Sequence, residues 1–217
     1  METNNQTMQI TADTLPSNIV LYGKPDVGKT STLQLLIILL CGGGKLDPAV
    51  CQAFEKAFLK YDNNGNPYYH DVKVVISYHN ITIYVSTMGD TWANIRANLD
   101  FFKNDWRYKD VYFYGSNGFE EYEKDKLKKE RMPKGQILVS AVRDDDSQTG
   151  SMHAMRILNA TRMSDWQREL WVHKIECGKN GEPLEGFSFT KPFLKSDYDL
   201  AVKMVKYIDQ IIYGNTI

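Results

Sequence analysis

Gly23-Lys24-Pro25-Asp26-Val27-Gly28-Lys29-Thr30 stands between the apolar run Ile19-Val20-Leu21-Tyr22 and the stretch Ser31-Thr32-Leu33-Gln34-Leu35-Leu36-Ile37-Ile38-Leu39-Leu40. The first flank reads as a buried strand and the second as a helix, so the octapeptide fills the pattern G-x-x-x-x-G-K-[ST] in a strand–loop–helix setting. A loop of backbone N–H groups leading into a helix N-terminus presents donors and a positive dipole end to an anion. Gly23 and Gly28 are expected to let the backbone take positive φ and come close to phosphate oxygens. Lys29 supplies a cation for the β- and γ-phosphates, and the Thr30 hydroxyl can join the shell of a Mg²⁺ ion. Ser31 ranks behind Thr30 as a donor, and Pro25 stiffens the loop by fixing its own φ.

On residues 18–41 the chain resembles the P-loop NTPase superfamily, with 23–30 matching its Walker A motif. The superfamily holds ATPases, GTPases, small-molecule kinases and switch proteins, and the motif does not choose among them. The resemblance implies a nucleotide-binding loop made by Gly23, Lys24, Pro25, Asp26, Val27, Gly28, Lys29, Thr30 and Ser31.

The 217 residues make one domain of the larger kind, 1–217, with 1–16 as a loose lead-in. Hydrophobic residues at 42% and charged residues at 24% suit a globular chain with a sizeable core. A formal net charge of -1 gives no global case for nucleic acid or a membrane surface. The N-terminus lacks a signal-peptide pattern, and the longest apolar run, Leu35 to Cys41, falls far short of the roughly 20 residues a bilayer span needs. A cytoplasmic location is expected. Cys41, Cys51 and Cys177 form no C-x-x-C pair, which suits reduced thiols, two of them among apolar neighbours. His70, His79, His153 and His173 show no metal-ligand spacing.

Along the chain, strands are predicted at 18–22, 72–78, 81–86, 108–114, 137–142 and 170–177. Helices are predicted at 29–40, 47–61, 91–104, 119–131, 151–170 and 198–213. His79-Asn80 suits a two-residue hairpin turn between the second and third strands. Asp62 to Pro67 is a turn cluster that lacks the glutamate and glycine placement of a calcium loop. Strands alternating with helices predict an α/β three-layer sandwich with a mostly parallel central sheet, of P-loop NTPase type, plus one antiparallel hairpin. That hairpin is similar to one that precedes the second nucleotide motif in Ras-like GTPases.

In Ras-like proteins the second motif reads Asp-x-x-Gly; here it is Ser86-Thr87-Met88-Gly89, followed by Asp90. Gly89 can match the glycine whose N–H meets the γ-phosphate. Asp90 has two readings: a substitute carboxylate that holds Mg²⁺, or the N-cap of the helix that follows. Arg143 also has two: a cation that stabilises charge on a transferred phosphoryl, or a surface arginine paired with Asp144–Asp146. Gly89-Asp90 and Ala141-Val142-Arg143 loosely resemble strand ends in uncharacterised bacterial P-loop ATP-binding proteins. No Asn-Lys-x-Asp tetrapeptide is present to read guanine, which favours ATP over GTP.

The expectation is therefore Mg²⁺-dependent binding and hydrolysis of ATP, or phosphoryl transfer to a small-molecule acceptor. Lys29, Asp90 and Arg143 would carry catalysis, Gly89 would join the nucleotide loop, and Thr30 and Asp90 would hold the metal. Segments 115–135 and 143–150 are the candidate lids, the first with lysine-rich clusters. The alternative is a nucleotide-gated switch that signals to a protein partner with little turnover, which the missing aspartate favours.

Overall fold

Strand β1 (Ser17–Gly23) is buried on both faces apart from the half-buried Tyr22. The computed structural model describes residues 17–102, 111–122, 136–144, 150, 153, 155–156, 168–174 and 181–213. The remaining strands are β2 (Leu59–Tyr61), β3 (Pro67–Tyr69), β4 (Lys73–Tyr78), β5 (Ile81–Ser86), β6 (Val111–Gly115), β7 (Gly118–Glu121), β8 (Ile137–Arg143) and β9 (Arg168–His173). The helices are α1 (Lys29–Cys41), α2 (Pro48–Phe58), α3 (Trp92–Phe102) and α4 (Lys195–Tyr213).

The main sheet has seven strands in the order β7-β6-β4-β5-β8-β1-β9. Strands β5, β8, β1 and β9 run parallel, so their carboxyl ends share one edge. Beyond β5 the sheet is mixed: β4 is antiparallel to β5, β6 parallel to β4, and β7 antiparallel to β6. The chain is thus α/β with a mostly parallel sheet, and the predicted hairpin is β4–β5, turned at His79 (φ 49) and Asn80 (φ 62).

Alternation along the strands divides the core. Ile19 and Leu21 of β1, Ile83 and Val85 of β5, and Val139 and Ala141 of β8 face α1, α2 and α4. Val20, Tyr84, Leu138 and Val142 face the other way, against Ile95 and Leu99 of α3. Helices therefore cover both faces. Helix α1 is apolar nearly all round, and its residues Leu33 to Leu39 are fully buried apart from Gln34 at 1% exposure.

Three predictions from periodicity are corrected. The second helix does not reach Tyr61. It stops at Phe58, and Leu59–Tyr61 pairs with Pro67–Tyr69 as a separate two-stranded antiparallel sheet. The Asp62 carboxylate accepts from the N–H of Asn64 at 2.8 Å and of Asn66 at 2.9 Å, which turns the chain into that hairpin. Gly118–Glu121 is a strand rather than the start of a helix, because Ser116-Asn117 turns β6 back on itself and Phe119 inserts beside Phe54, Phe58 and Tyr114. The rest of the charged stretch predicted as helix, 123–131, lies outside the described residues. Residues 168 and 169, predicted as the end of a helix, belong to β9, drawn into strand pairing by β1. The sheet edge thus holds a second hairpin, β6–β7, and the small sheet a third, where one was predicted.

Phe58 joins α2 to β6 and β7 through ring contacts with Phe54, Tyr112 and Phe119. Phe58→Ala is expected to cost about 3–5 kcal/mol in urea denaturation. A loss below about 1 kcal/mol would contradict this packing.

Candidate functional site

Gly23 ends β1, and the chain reverses through residues 24–28 into α1. Positive φ falls at Asp26 (59°) and Gly28 (88°) rather than at Gly23, which keeps its strand conformation. This corrects the expectation for Gly23. Its lack of a side chain serves close packing instead: a Cβ there would lie 2.7 Å from the carbonyl oxygen of Lys174. Left-handed residues set among right-handed ones turn successive N–H groups toward one concavity, an anion-binding arrangement.

Gly28 is the N-cap of α1, no side chain caps it, and the first turn carries no acidic residue. The N–H of Thr32 makes the bond to the Gly28 carbonyl at 2.9 Å, so the N–H groups of Lys29, Thr30 and Ser31 have no carbonyl four residues back within the helix. A 13-residue helix therefore begins with orphan donors beside Thr30 and Ser31, both half-buried.

Lys29 folds back over this loop. Its Nζ donates to the Gly23 carbonyl at 2.9 Å and the Lys24 carbonyl at 2.6 Å. The residue is only 6% exposed. Burial lowers the pKa of the ammonium. The carboxylates of Asp90, Asp26 and Asp144 act against that fall, and the Arg143 guanidinium adds to it. The electrostatics of Lys29 thus tie together three residues predicted from separate parts of the chain: Lys29, Asp90 and Arg143.

Asp90 reaches this place from β5, which is not adjacent to β1. Strand β8 lies between them, so β1 and β5 are about 10 Å apart at sheet spacing. The 87–90 loop crosses the end of β8. Gly89 makes the crossing possible, since a Cβ there would sit 1.9 Å from the Ala141 carbonyl oxygen. Thr91 caps α3, its Oγ1 accepting from the N–H of Asn94 at 3.2 Å, so the capping alternative for Asp90 is not needed. Asp90 is exposed to solvent.

Ser86, at the position where an aspartate was expected, is fully buried and bonds to Oδ1 of Asn98 at 2.6 Å. The Asn98 Nδ2 in turn donates to the Met88 carbonyl at 2.8 Å. Ser86 thus anchors the loop to α3. A residue that sequence spacing does not reveal, Asp71, joins from the loop before β4. It accepts from Thr87 Oγ1 at 3.0 Å. Desolvation of its carboxyl raises the Asp71 pKa, the Thr87 hydrogen bond opposes this, and the Asp90 charge reinforces it.

Arg143 ends β8 directly beside Gly23 in the parallel register, and the N–H of Asp144 donates to the Gly23 carbonyl at 2.8 Å. Asp145 and Asp146, its other predicted partners, lie outside the described residues, as do 123–135 and 145–149 of the candidate lids 115–135 and 143–150; of the first lid, 115–121 belongs to the β6–β7 hairpin. Among the described residues no group of three or more His, Cys, Asp or Glu gathers to hold a metal.

Cys41 and Cys51 are free thiols, with burial raising both pKa values, that of Cys51 to about 11. His70 contacts the Phe58 carbonyl and His173 stacks on Tyr22, structural roles for both. No described helix is long and apolar enough to cross a membrane. Two open grooves, one at Glu182–Glu185 with Tyr198 and one along α2 at Gln52 and Lys56, include no residue of the 23–31 loop.

Gly89→Ala is expected to force the 87–90 loop off Ala141 and to cost about 1–3 kcal/mol in thermal or urea unfolding. An unchanged stability would contradict the close approach. Comparison of the chain with protein-family models, with curated proteins and with solved structures returns no match.

Proposed function

We propose that the chain is a P-loop protein that binds a nucleoside triphosphate with Mg²⁺, ATP ahead of GTP, and hydrolyses it or passes its γ-phosphoryl to a small acceptor. The observation that carries this reading is the buried Lys29 ammonium, held by two loop carbonyls at the uncapped start of α1. An ammonium has three donors. Two are engaged by Gly23 and Lys24, and the third is available to a phosphate oxygen.

In this reading the orphan N–H groups at 29–31 and the concavity at 26–28 bind the phosphate chain. The Thr30 hydroxyl and Asp90 hold Mg²⁺, which neutralises charge on the phosphate oxygens. Arg143, beside Gly23 at the end of β8, faces charge that develops on the transferred group. Asp71, bonded to Thr87 and felt by Asp90, would in this reading orient an attacking water or hydroxyl. Preference for ATP rests on the absence of an Asn-Lys-x-Asp guanine reader. A cytoplasmic setting belongs to the same reading, which the free thiols of Cys41 and Cys51 support.

One observation favours a second reading. Ser86 is committed to Asn98, so the metal rests on a single solvent-exposed carboxylate, Asp90. Weak metal retention suits a nucleotide-gated switch whose 86–91 loop signals to a protein partner with little turnover.

Calorimetry with MgATP and a phosphate-release assay test both readings. Wild-type protein is expected to bind MgATP, and Lys29→Ala to weaken binding about ten- to a hundredfold, as for a lost hydrogen bond to a charged group. Asp90→Asn is expected to remove most of the Mg²⁺ dependence of binding. Full affinity in Lys29→Ala would sink both readings, and tight binding without phosphate release would leave the switch.

A further inference from the structure

Behind the 23–30 loop lies a buried ion pair that the phosphate reading does not use. Lys174 follows β9, and Asp197 sits in the first turn of α4. The Lys174 Nζ and Asp197 Oδ1 are 2.5 Å apart, and the side chains are 2% and 4% exposed. Lys191 and the Thr32 hydroxyl, the latter at 3.5 Å, are the other groups that act on Asp197.

Gly28 rests on the carboxylate of this pair, and Gly23 on the main chain of its lysine. A Cβ on Gly28 would lie 2.8 Å from Asp197 Oδ1, and a Cβ on Gly23 would lie 2.7 Å from the Lys174 carbonyl oxygen. The Lys174 N–H also donates to the Tyr22 carbonyl at 2.8 Å, which fixes the end of β1. The two residues therefore reach the loop at its first and sixth positions, Lys174 through its main-chain carbonyl and Asp197 through its carboxylate, from elements more than 140 residues away in sequence.

Packing alone does not account for charges here. A buried ion pair gains little over apolar groups of the same volume, because both charges lose their hydration. The surroundings supply a different reason. Gly28 begins α1, whose positive dipole end and orphan N–H groups share a small volume with the Lys29 ammonium. A carboxylate placed against Gly28 balances that concentration of positive charge when no phosphate is bound. Lys174 in turn keeps the carboxylate from repelling phosphate too strongly.

We propose that the Lys174–Asp197 pair is a positioning element of the phosphate site, holding Gly28 in place and setting, by its charge balance, how tightly the loop binds a phosphate chain. The proposal rests on the phosphate-binding reading of the loop. Neither residue touches the ligand in it; both act through Gly23 and Gly28.

Calorimetry with inorganic tripolyphosphate tests it, since this probe engages the loop without a base. Failure of the phosphate reading shows in the wild-type protein, as absence of binding, whereas failure of the pair's role shows only in the variants. Lys174→Met leaves an unpaired negative charge behind the loop and is expected to weaken binding about fivefold or more. Asp197→Asn leaves the positive charge and is expected to strengthen it by a similar factor. The double variant is expected to return to within about twofold of wild type. Losses in both single variants, or no change in either, would overturn the proposal and leave the pair a packing element.

Should a single variant fail to fold, the wild-type protein decides. Coupling between two sites is reciprocal. The ¹³C carboxyl signal of Asp197 is then expected to titrate at higher pH with tripolyphosphate bound than without it. An unchanged titration would overturn the proposal.

Discussion

A buried ammonium cannot stay in a protein without hydrogen-bond partners, and Lys29 finds two of them in its own loop. These bonds to the Gly23 and Lys24 carbonyls close residues 23–29 into a ring of backbone around the start of α1. The ring is affordable only because the strand before it and the helix after it are both deeply buried. Burial of β1 and α1 fixes the two ends of the loop in space. The ammonium then holds the middle, while its charge is felt by Asp90, Arg143, Asp26 and Asp144.

Sheet order decides what else arrives there. Because β5, β8, β1 and β9 are parallel neighbours in that sequence, the chain ends after four strands open on the same edge. From β8 come Arg143 and Asp144 beside Gly23, from β9 comes Lys174 behind it, and from β5 comes Asp90 over the top of β8. The last connection is the most demanding. It needs a glycine at 89 to clear Ala141 and an asparagine at 98 to satisfy both Ser86 and the Met88 carbonyl.

The parts of this arrangement that sequence makes legible are the local ones. Strand β1, the loop and α1 are contiguous, so motif spacing and apolar runs locate them within a residue or two. The β4–β5 hairpin is equally local, since His79-Asn80 specifies its turn. Strand order is not local: no periodicity within 81–86 or 137–143 tells that β8 will separate β5 from β1. Phe119 reads as helical from the charges that follow it, yet the aromatic cluster of Phe54 and Phe58 makes it a strand residue. Ser86 reads as a departure from a metal motif because its partner, Asn98, carries no recognisable signal in the sequence. Asp71, Lys174 and Asp197 were illegible for the same reason: their meaning comes from residues distant in the chain.

We propose that the loop at 23–31 is built to receive a phosphate chain before any ligand arrives. A ¹H–¹⁵N spectrum titrated with the Mg²⁺ complex of a non-hydrolysable ATP analogue tests this most directly. The amide signals of residues 26–31 are expected to shift together with that of Asp90, along one saturation curve, while signals from the α2 face stay in place. Saturable shifts elsewhere on the molecule with those of 26–31 unmoved, or no shifts at all at millimolar ligand, would contradict the account.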